Sequence, residues 1–139
     1  MREIKFRGKR TDNGEWVEGY YCKSYGRHNG YIYDYHSIYD YELGEHYEVI
    51  PETVGEYTGL PDKNGKKIWE GDIVKHYNNA FQDRVDVKTN IYEVKYHEKY
   101  CYFYLARKQN NLLFDGNWSY YLKEIEVIGN IHDNSELLK

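Results

Sequence analysis

Two carboxylates, Glu70 and Asp72, lie within the apolar run Ile68-Trp69-Glu70-Gly71-Asp72-Ile73-Val74. Residues two apart on a strand share a face. A carboxylate pair so placed can hold a metal or divide the roles of acid and base. No third ligand and no His stands near them in the chain. The pair is therefore read as turn chemistry, bonding the backbone across a bend. Asp62-Lys63-Asn64-Gly65 echoes the start of a calcium loop but lacks the bidentate Glu at the required spacing. His28, His36, His46, His76, His97 and His132 are scattered, with no pair at helical zinc spacing, and are expected at the surface. His36 has Asp34 and His46 as its conceivable neighbours in space, which alone points to no metal. Cys22 and Cys101 form no CxxC and are read as reduced thiols. GxSxG, P-loop and Cys–His arrangements are all missing. No catalytic residue, metal ligand or cofactor is assigned, and the expectation is a protein without catalysis.

The tyrosines are the feature that composition leaves unexplained. The chain has 18 Tyr against two Ala, Ala80 and Ala106. Ala favours helices, whereas Tyr, Val and Ile suit a pleated, half-buried surface, so the balance argues for strands. Nine tyrosines fall between Tyr20 and Tyr47. Tyr31, Tyr33 and Tyr35 alternate onto one face of a strand, and with Tyr39 and Tyr41 they are the candidate interface residues. A buried Tyr needs a partner for its hydroxyl, so so many rarely all enter one core. The blander alternative is that alternating Tyr simply covers a thin sheet. Three uses remain: self-association, docking of another protein, and stacking on single-stranded nucleic acid. Stacking normally comes with a positive groove, yet this stretch has Lys23 and Arg27 against Asp34, Asp40, Glu42 and Glu45. Protein contact is favoured. The net charge of −4, from 19 basic and 23 acidic residues, also lowers the expectation of nucleic-acid binding. A nucleic-acid module remains the alternative, with Lys63, Lys66, Lys67 and Lys75 as phosphate contacts.

The elements that must position these residues are short strands. Ile4 and Phe6 alternate with charged neighbours, and Asn13-Gly14 turns the chain into a strand over Glu15 to Tyr21. Asn29-Gly30 repeats the signal before Tyr31 to Tyr35. His46 to Ile50 reads as a strand stopped by Pro51. A third Asn-Gly hairpin runs from Glu56 through Asn64-Gly65 to Lys75, with Gly71 marking a bulge or bend. Tyr77 to Arg84 reads as a loop, Val85 to Tyr96 as a long strand and Tyr100 to Ala106 as its partner. Asp115-Gly116-Asn117 is a turn, Ser119 to Lys123 a single helical turn, Ile125 to Ile131 a closing strand, and Asn134 a helix cap. Length fits one domain over residues 1–139; an internal boundary, if one exists, falls between Pro51 and Gly55. No apolar run approaches the roughly 18 residues of a membrane span, and Met1 to Arg7 holds no signal-peptide core. Cytoplasmic location is the expectation.

Glu56-Tyr57-Thr58-Gly59-Leu60, Asp62-Lys63-Asn64-Gly65-Lys66 and Ile68-Trp69-Glu70-Gly71-Asp72-Ile73-Val74 together resemble the signature of the YopX-like family of phage and prophage proteins. The opening Met1 to Arg7 and the closing Glu126-Val127-Ile128-Gly129-Asn130-Ile131-His132-Asp133-Asn134 agree with it. The resemblance implies an all-β fold with minimal helix, in which N-terminal hairpins pack on a C-terminal SH3-like barrel. It also implies a phage or prophage source in a bacterial host cell, and it implies no activity. Trp69 replaces another aromatic, and neither the tyrosine-rich stretch nor His76 to Arg107 matches the pattern. The signature residues Thr58, Gly59, Leu60, Asp62, Asn64, Gly65, Ile68, Trp69, Glu70, Gly71, Asp72 and Ile73 have a physical reading of their own as fold determinants. Glycines supply unusual backbone, apolar groups supply core, and carboxylates satisfy a bend.

Overall fold

The computed structural model describes residues 3–77, 91–107, 113–114 and 122–139. The fold is all-β: two antiparallel sheets, with no described helix of seven or more residues. The chain divides into two compact units, Met1–Tyr57 and Thr58–Lys139.

The first unit holds β1 (Phe6–Lys9), β2 (Trp16–His28), β3 (Tyr31–Asp40), β4 (Glu45–Glu48) and the start of β5 (Gly55–Pro61). Their order is β4-β3-β2-β1-β5, antiparallel throughout. β2 runs seven residues past its expected end at Tyr21. The cause is the Asn29-Gly30 turn, which pairs His28 directly with Tyr31 and zips the ladder up to the turn itself. Asn29 and Gly30 have φ of 49° and 81°, the doubly positive backbone that matches strand twist in a two-residue hairpin. At the next turn the Asp40 carboxylate accepts the Glu42 and Leu43 amides. Ile38 and Val49 are fully buried, Val49 against Gly8, where a β-carbon would stand 3.0 Å from its own. Pro51 does more than stop a strand: it opens a 3₁₀ turn, Pro51–Thr53, whose Thr53 hydroxyl accepts the Lys9 amide at 2.9 Å.

The second unit holds the end of β5, β6 (Lys67–Trp69), β7 (Asp72–His76), β8 (Ile91–His97), β9 (Tyr102–Ala106), β10 (Leu113–Phe114) and β11 (Ile125–Asn130). β6 pairs with β5, and the others form a five-stranded sheet in the order β10-β9-β8-β7-β11. Among the described residues, β10 and β11 end that order, and closure into an SH3-like barrel is not seen in the pairings. Ile68, Val74, Tyr92, Val94, Leu105, Ile125 and Val127 make the core, with Leu60, Phe103 and Leu122 packed against it. Alternation explains this: Tyr92 and Val94 on β8 face Leu105 on β9, while Glu93, Lys95 and His97 take the other face.

The bend expected at Gly71 is a turn at φ 80° that divides Ile68 to Lys75 into two strands. Other expectations change. The described part of β8 starts at Ile91; Tyr77 to Arg84 beyond Tyr77, Val85 to Asn90, Asp115 to Asn117 and Ser119 to Tyr121 lie outside the described residues. Asn134 precedes a 3₁₀ turn, Ser135–Leu138, yet its side chain does not cap it. Its Oδ1 accepts the Asn130 amide instead, closing the loop after β11.

Candidate functional site

The tyrosine-rich stretch forms one long hairpin, β2–β3. Its base is buried at Ser37 and Ile38, and burial falls away along β3 until Tyr31, Ile32, Tyr33 and Asp34 are all exposed. The cross-strand register pairs Tyr20 with Tyr39, Cys22 with Ser37, Ser24 with Tyr35, Gly26 with Tyr33 and His28 with Tyr31. Those residues share one face. Lys23, Tyr25 and Arg27 share the other with Ile32, Asp34 and His36. Beyond Tyr20 the alternation thus sorts chemistry: Lys23, Arg27 and Asp34 lie on one face, and a row of phenol rings lies on the other. Tyr33 lies across Gly26, where an added β-carbon would stand 2.2 Å from the ring carbon Cζ; glycine lets the ring lie flat on the sheet.

The five predicted interface tyrosines do not behave alike. Tyr31 and Tyr33 are 80% and 46% exposed. Tyr35 and Tyr39 are half-buried, and Tyr39 packs on the His46 ring at 4.7 Å. Tyr41 lies past the end of β3, packs against Tyr20 at 5.8 Å and takes the Lys5 ammonium at 3.5 Å. Glu3 and then Tyr41 hold the Lys5 pKa above its ordinary value. Tyr20 and Tyr25, at 50% and 73% exposure, belong to the exposed set and were not singled out from the sequence. Their strand was expected to end before Tyr25, so their alternation with β3 was not visible.

The signature hairpin is the opposite case. Asp62 is 5% exposed. Its Oδ1 accepts the amides of Asn64 and Lys66 at 2.8 and 2.9 Å, and its Oδ2 accepts the Val127 amide of β11 at 3.0 Å. Burial alone would push this carboxyl up, but the three backbone donors outweigh it and hold the pKa below the usual value. Lys63 N–H also donates to Ile125 C=O, so the turn is stitched to β11 twice. Both Asp62 oxygens are thus spent on backbone amides. Asp72, 1% exposed, accepts the Trp69 amide at 2.9 Å. Glu70 and Asp72 are therefore not a strand-face pair: the turn at Gly71 separates them. Thr58 donates its hydroxyl to Ile68 C=O, and Gly59 and Gly65 have φ of 82° and 81°. Gly71 donates its N–H to Val94 C=O on β8 and accepts from the amide of Ile131, just past β11. Ile68, Trp69, Ile73 and Val74 are buried and Leu60 packs on the core.

Three of the four lysines proposed as phosphate contacts are engaged. Lys63 pairs with Glu126 at 3.1 Å and lies 3.9 Å over the Tyr77 ring, which Lys75 approaches from 4.8 Å. Lys67 stands 5.8 Å over Trp69. Lys66 is exposed. Glu126, held below its usual pKa by Tyr77 and Lys63, supplies the compensating charge.

Not all histidines lie at the surface. His76 is buried, with Nε2 2.9 Å from Glu124. His97 packs among Tyr100, Tyr102 and Tyr104 on β9 and its turn. His36 meets neither Asp34 nor His46 but shares a hydrogen bond with the Tyr21 hydroxyl. His76 is held by a partner 48 residues away, which spacing does not reveal, while His36 and His97 are half-buried. Among the described residues no group of three or more His, Cys, Asp or Glu is placed to hold a metal ion, and no helix is long and apolar enough to cross a membrane.

Fold and site together describe a small antiparallel β protein with an internally stitched signature hairpin and an exposed tyrosine hairpin. A family model described as YopX protein matches residues 5–139. The chain belongs to the YopX family. In fold it is similar to the crystal structure of protein EF1440 from Enterococcus faecalis, with a TM-score of 0.55, 24% identity and coverage of 100% of both chains. No curated protein matches it.

Proposed function

We propose that this chain is a non-catalytic accessory protein of a bacteriophage or prophage, working in the cytoplasm of its bacterial host by binding protein through the β2–β3 hairpin. The observation that carries this is the row of phenol rings on the face opposite Lys23, Arg27 and Asp34, led by Tyr31 at 80% exposure and Tyr33 at 46%. Tyr joins a rigid apolar ring to a wet hydroxyl, the character enriched in interface cores, where charge is depleted. The phage source rests on the family resemblance. The nucleic-acid alternative loses support from the lysines, since Lys63, Lys67 and Lys75 already lie on Glu126 or on aromatic rings.

The test compares the wild-type chain with a Tyr31→Ser/Tyr33→Ser variant as bait in extracts of phage-infected cells, after confirming equal thermal unfolding. A specific protein recovered by the wild type and lost by the variant supports the proposal. Equal recovery overturns the hairpin as the binding surface. Steeply salt-dependent binding of either chain to single-stranded or duplex DNA, weakened by Lys66→Gln, would put the nucleic-acid reading in its place.

A further inference from the structure

The outer edge of β3 shows what occupies this hairpin. β4 pairs with β3 over Ser37 to Asp40, and the Val49 amide adds a bond to His36 C=O at 2.9 Å. His36 therefore turns its backbone toward that edge. By antiparallel alternation Ile32 and Asp34 do the same, while Tyr31, Tyr33 and Tyr35 bond to β2. Among the described residues no strand pairs with β3 outside Tyr31 to Tyr35. On the other side β1 covers β2 from Trp16 to Gly19 and leaves Tyr21 to Arg27 open.

The two open edges differ in protection. The β2 edge carries Lys23 and Arg27, the kind of cation that natural edge strands use against pairing. The β3 edge from Tyr31 to Asp34 has no Lys, Arg or Pro, and its one charge, Asp34, is paired with Lys23 at 2.9 Å. A ribbon of two strands is marginal by itself, so added strands on the unprotected edge stabilise it.

We propose that a second copy of this chain occupies that edge, its β3 antiparallel to the first about a two-fold axis at Tyr33; this rests on the binding role proposed above and names its partner. In this register the outward N–H and C=O groups of Ile32 in one copy meet those of Asp34 in the other. Tyr33 faces Tyr33 of the second copy in the closely spaced, non-hydrogen-bonded position, and Tyr31 faces Tyr35. The phenol rows become one continuous ladder on the face opposite Lys23, Arg27 and Asp34. Asp34 meets Ile32 and not another carboxylate. Centring on Asp34 would oppose two acids, and centring on Ile32 would set Asp34 against the hairpin tip at Gly30. Along the β2 edge, the antiparallel pairing centred on Tyr25 would set Lys23 against Arg27.

Sedimentation equilibrium of the full chain tests this. The wild type is expected to show a monomer–dimer equilibrium. Ile32→Pro removes an outward N–H without touching the β2–β3 ladder, and is expected to weaken dimerisation at least about tenfold, since each dimer loses the bond twice. Tyr25→Pro makes the same change on the opposite edge and is expected to leave the dimer intact. A second measurement does not depend on how the proline chains fold. In a Cys22→Ser/Cys101→Ser background, Tyr33→Cys is expected to form an intermolecular disulfide readily, because antiparallel residues on the two-fold axis lie within disulfide reach. Asp34→Cys is expected to cross-link poorly. A wild-type chain that stays monomeric at the highest attainable concentration, a dimer insensitive to Ile32→Pro, or equal cross-linking at both positions overturns the pairing. The broader binding role falls separately, on equal partner recovery by the Tyr31→Ser/Tyr33→Ser variant.

Discussion

The β2–β3 and β5–β6 hairpins carry the same local turn signal, Asn29-Gly30 in one and Asn64-Gly65 in the other, and their fates are opposite. The first ends in a tip exposed on both faces. The second is bound by the buried Asp62 carboxylate, which closes the turn through Asn64 and Lys66 and reaches Val127 on β11. An Asn-Gly pair thus sets how the chain turns but not what the turn is for. One buried carboxylate three residues or fewer from the pair makes the difference between a structural hairpin and a free one.

The largest expected effect breaks the stitched hairpin. Asp62→Ala leaves backbone donors unsatisfied, one of them buried, and is expected to cost about 3 kcal/mol in urea unfolding followed by tryptophan fluorescence. A loss no greater than that of an exposed-site substitution such as Ser24→Ala would erase the contrast. Gly71→Ala comes next. A β-carbon there meets only ordinary contacts, the nearest at 3.6 Å, so the cost is that of φ 80° itself, about 1–2 kcal/mol. Gly30→Ala has the same backbone penalty, but its effect is expected in the hairpin's amide exchange while global unfolding barely moves.

The pH dependence sharpens the same comparison. The folded pKa of Asp62 is depressed, so its contribution is present above the usual carboxylate pKa and is lost as pH falls through the lowered folded value. Asp62→Asn is expected to flatten this acid limb of the stability curve; an unchanged limb would assign it to other carboxylates. In native-state hydrogen exchange, amides of Lys23 to Arg27 are expected to exchange well before those of β7, β8 and β11. The smallest effect belongs to Tyr31→Ser, within about 0.5 kcal/mol of wild type by thermal unfolding, because a ring exposed to 80% contributes little to the folded state.

Much of the fold could be read directly from residue order. All three Asn-Gly turns, the antiparallel pairing of β8 with β9, the closing strand and the apolar members of the signature stand where alternation and turn chemistry put them. Strand ends were less legible. The far half of β2 is not legible because Lys23, Ser24 and Arg27 do not look like strand, and only the partner strand makes them so. The bend at Gly71 is legible in the interrupted pattern, but only its positive φ shows that it is a full turn that puts Glu70 and Asp72 on separate elements.

Local chemistry determined the β class, the turn positions and the grouping of Tyr31, Tyr33 and Tyr35 on one face, since side-chain period and backbone preference act over a few residues. Tertiary structure alone decided which carboxylate is buried, that His76 leaves the surface, that Lys63 pairs with Glu126, and which hairpin stays open. Each of those depends on a partner far along the chain, such as Val127 for Asp62 or Glu124 for His76, and burial by a distant strand leaves no periodic trace in the residues it covers.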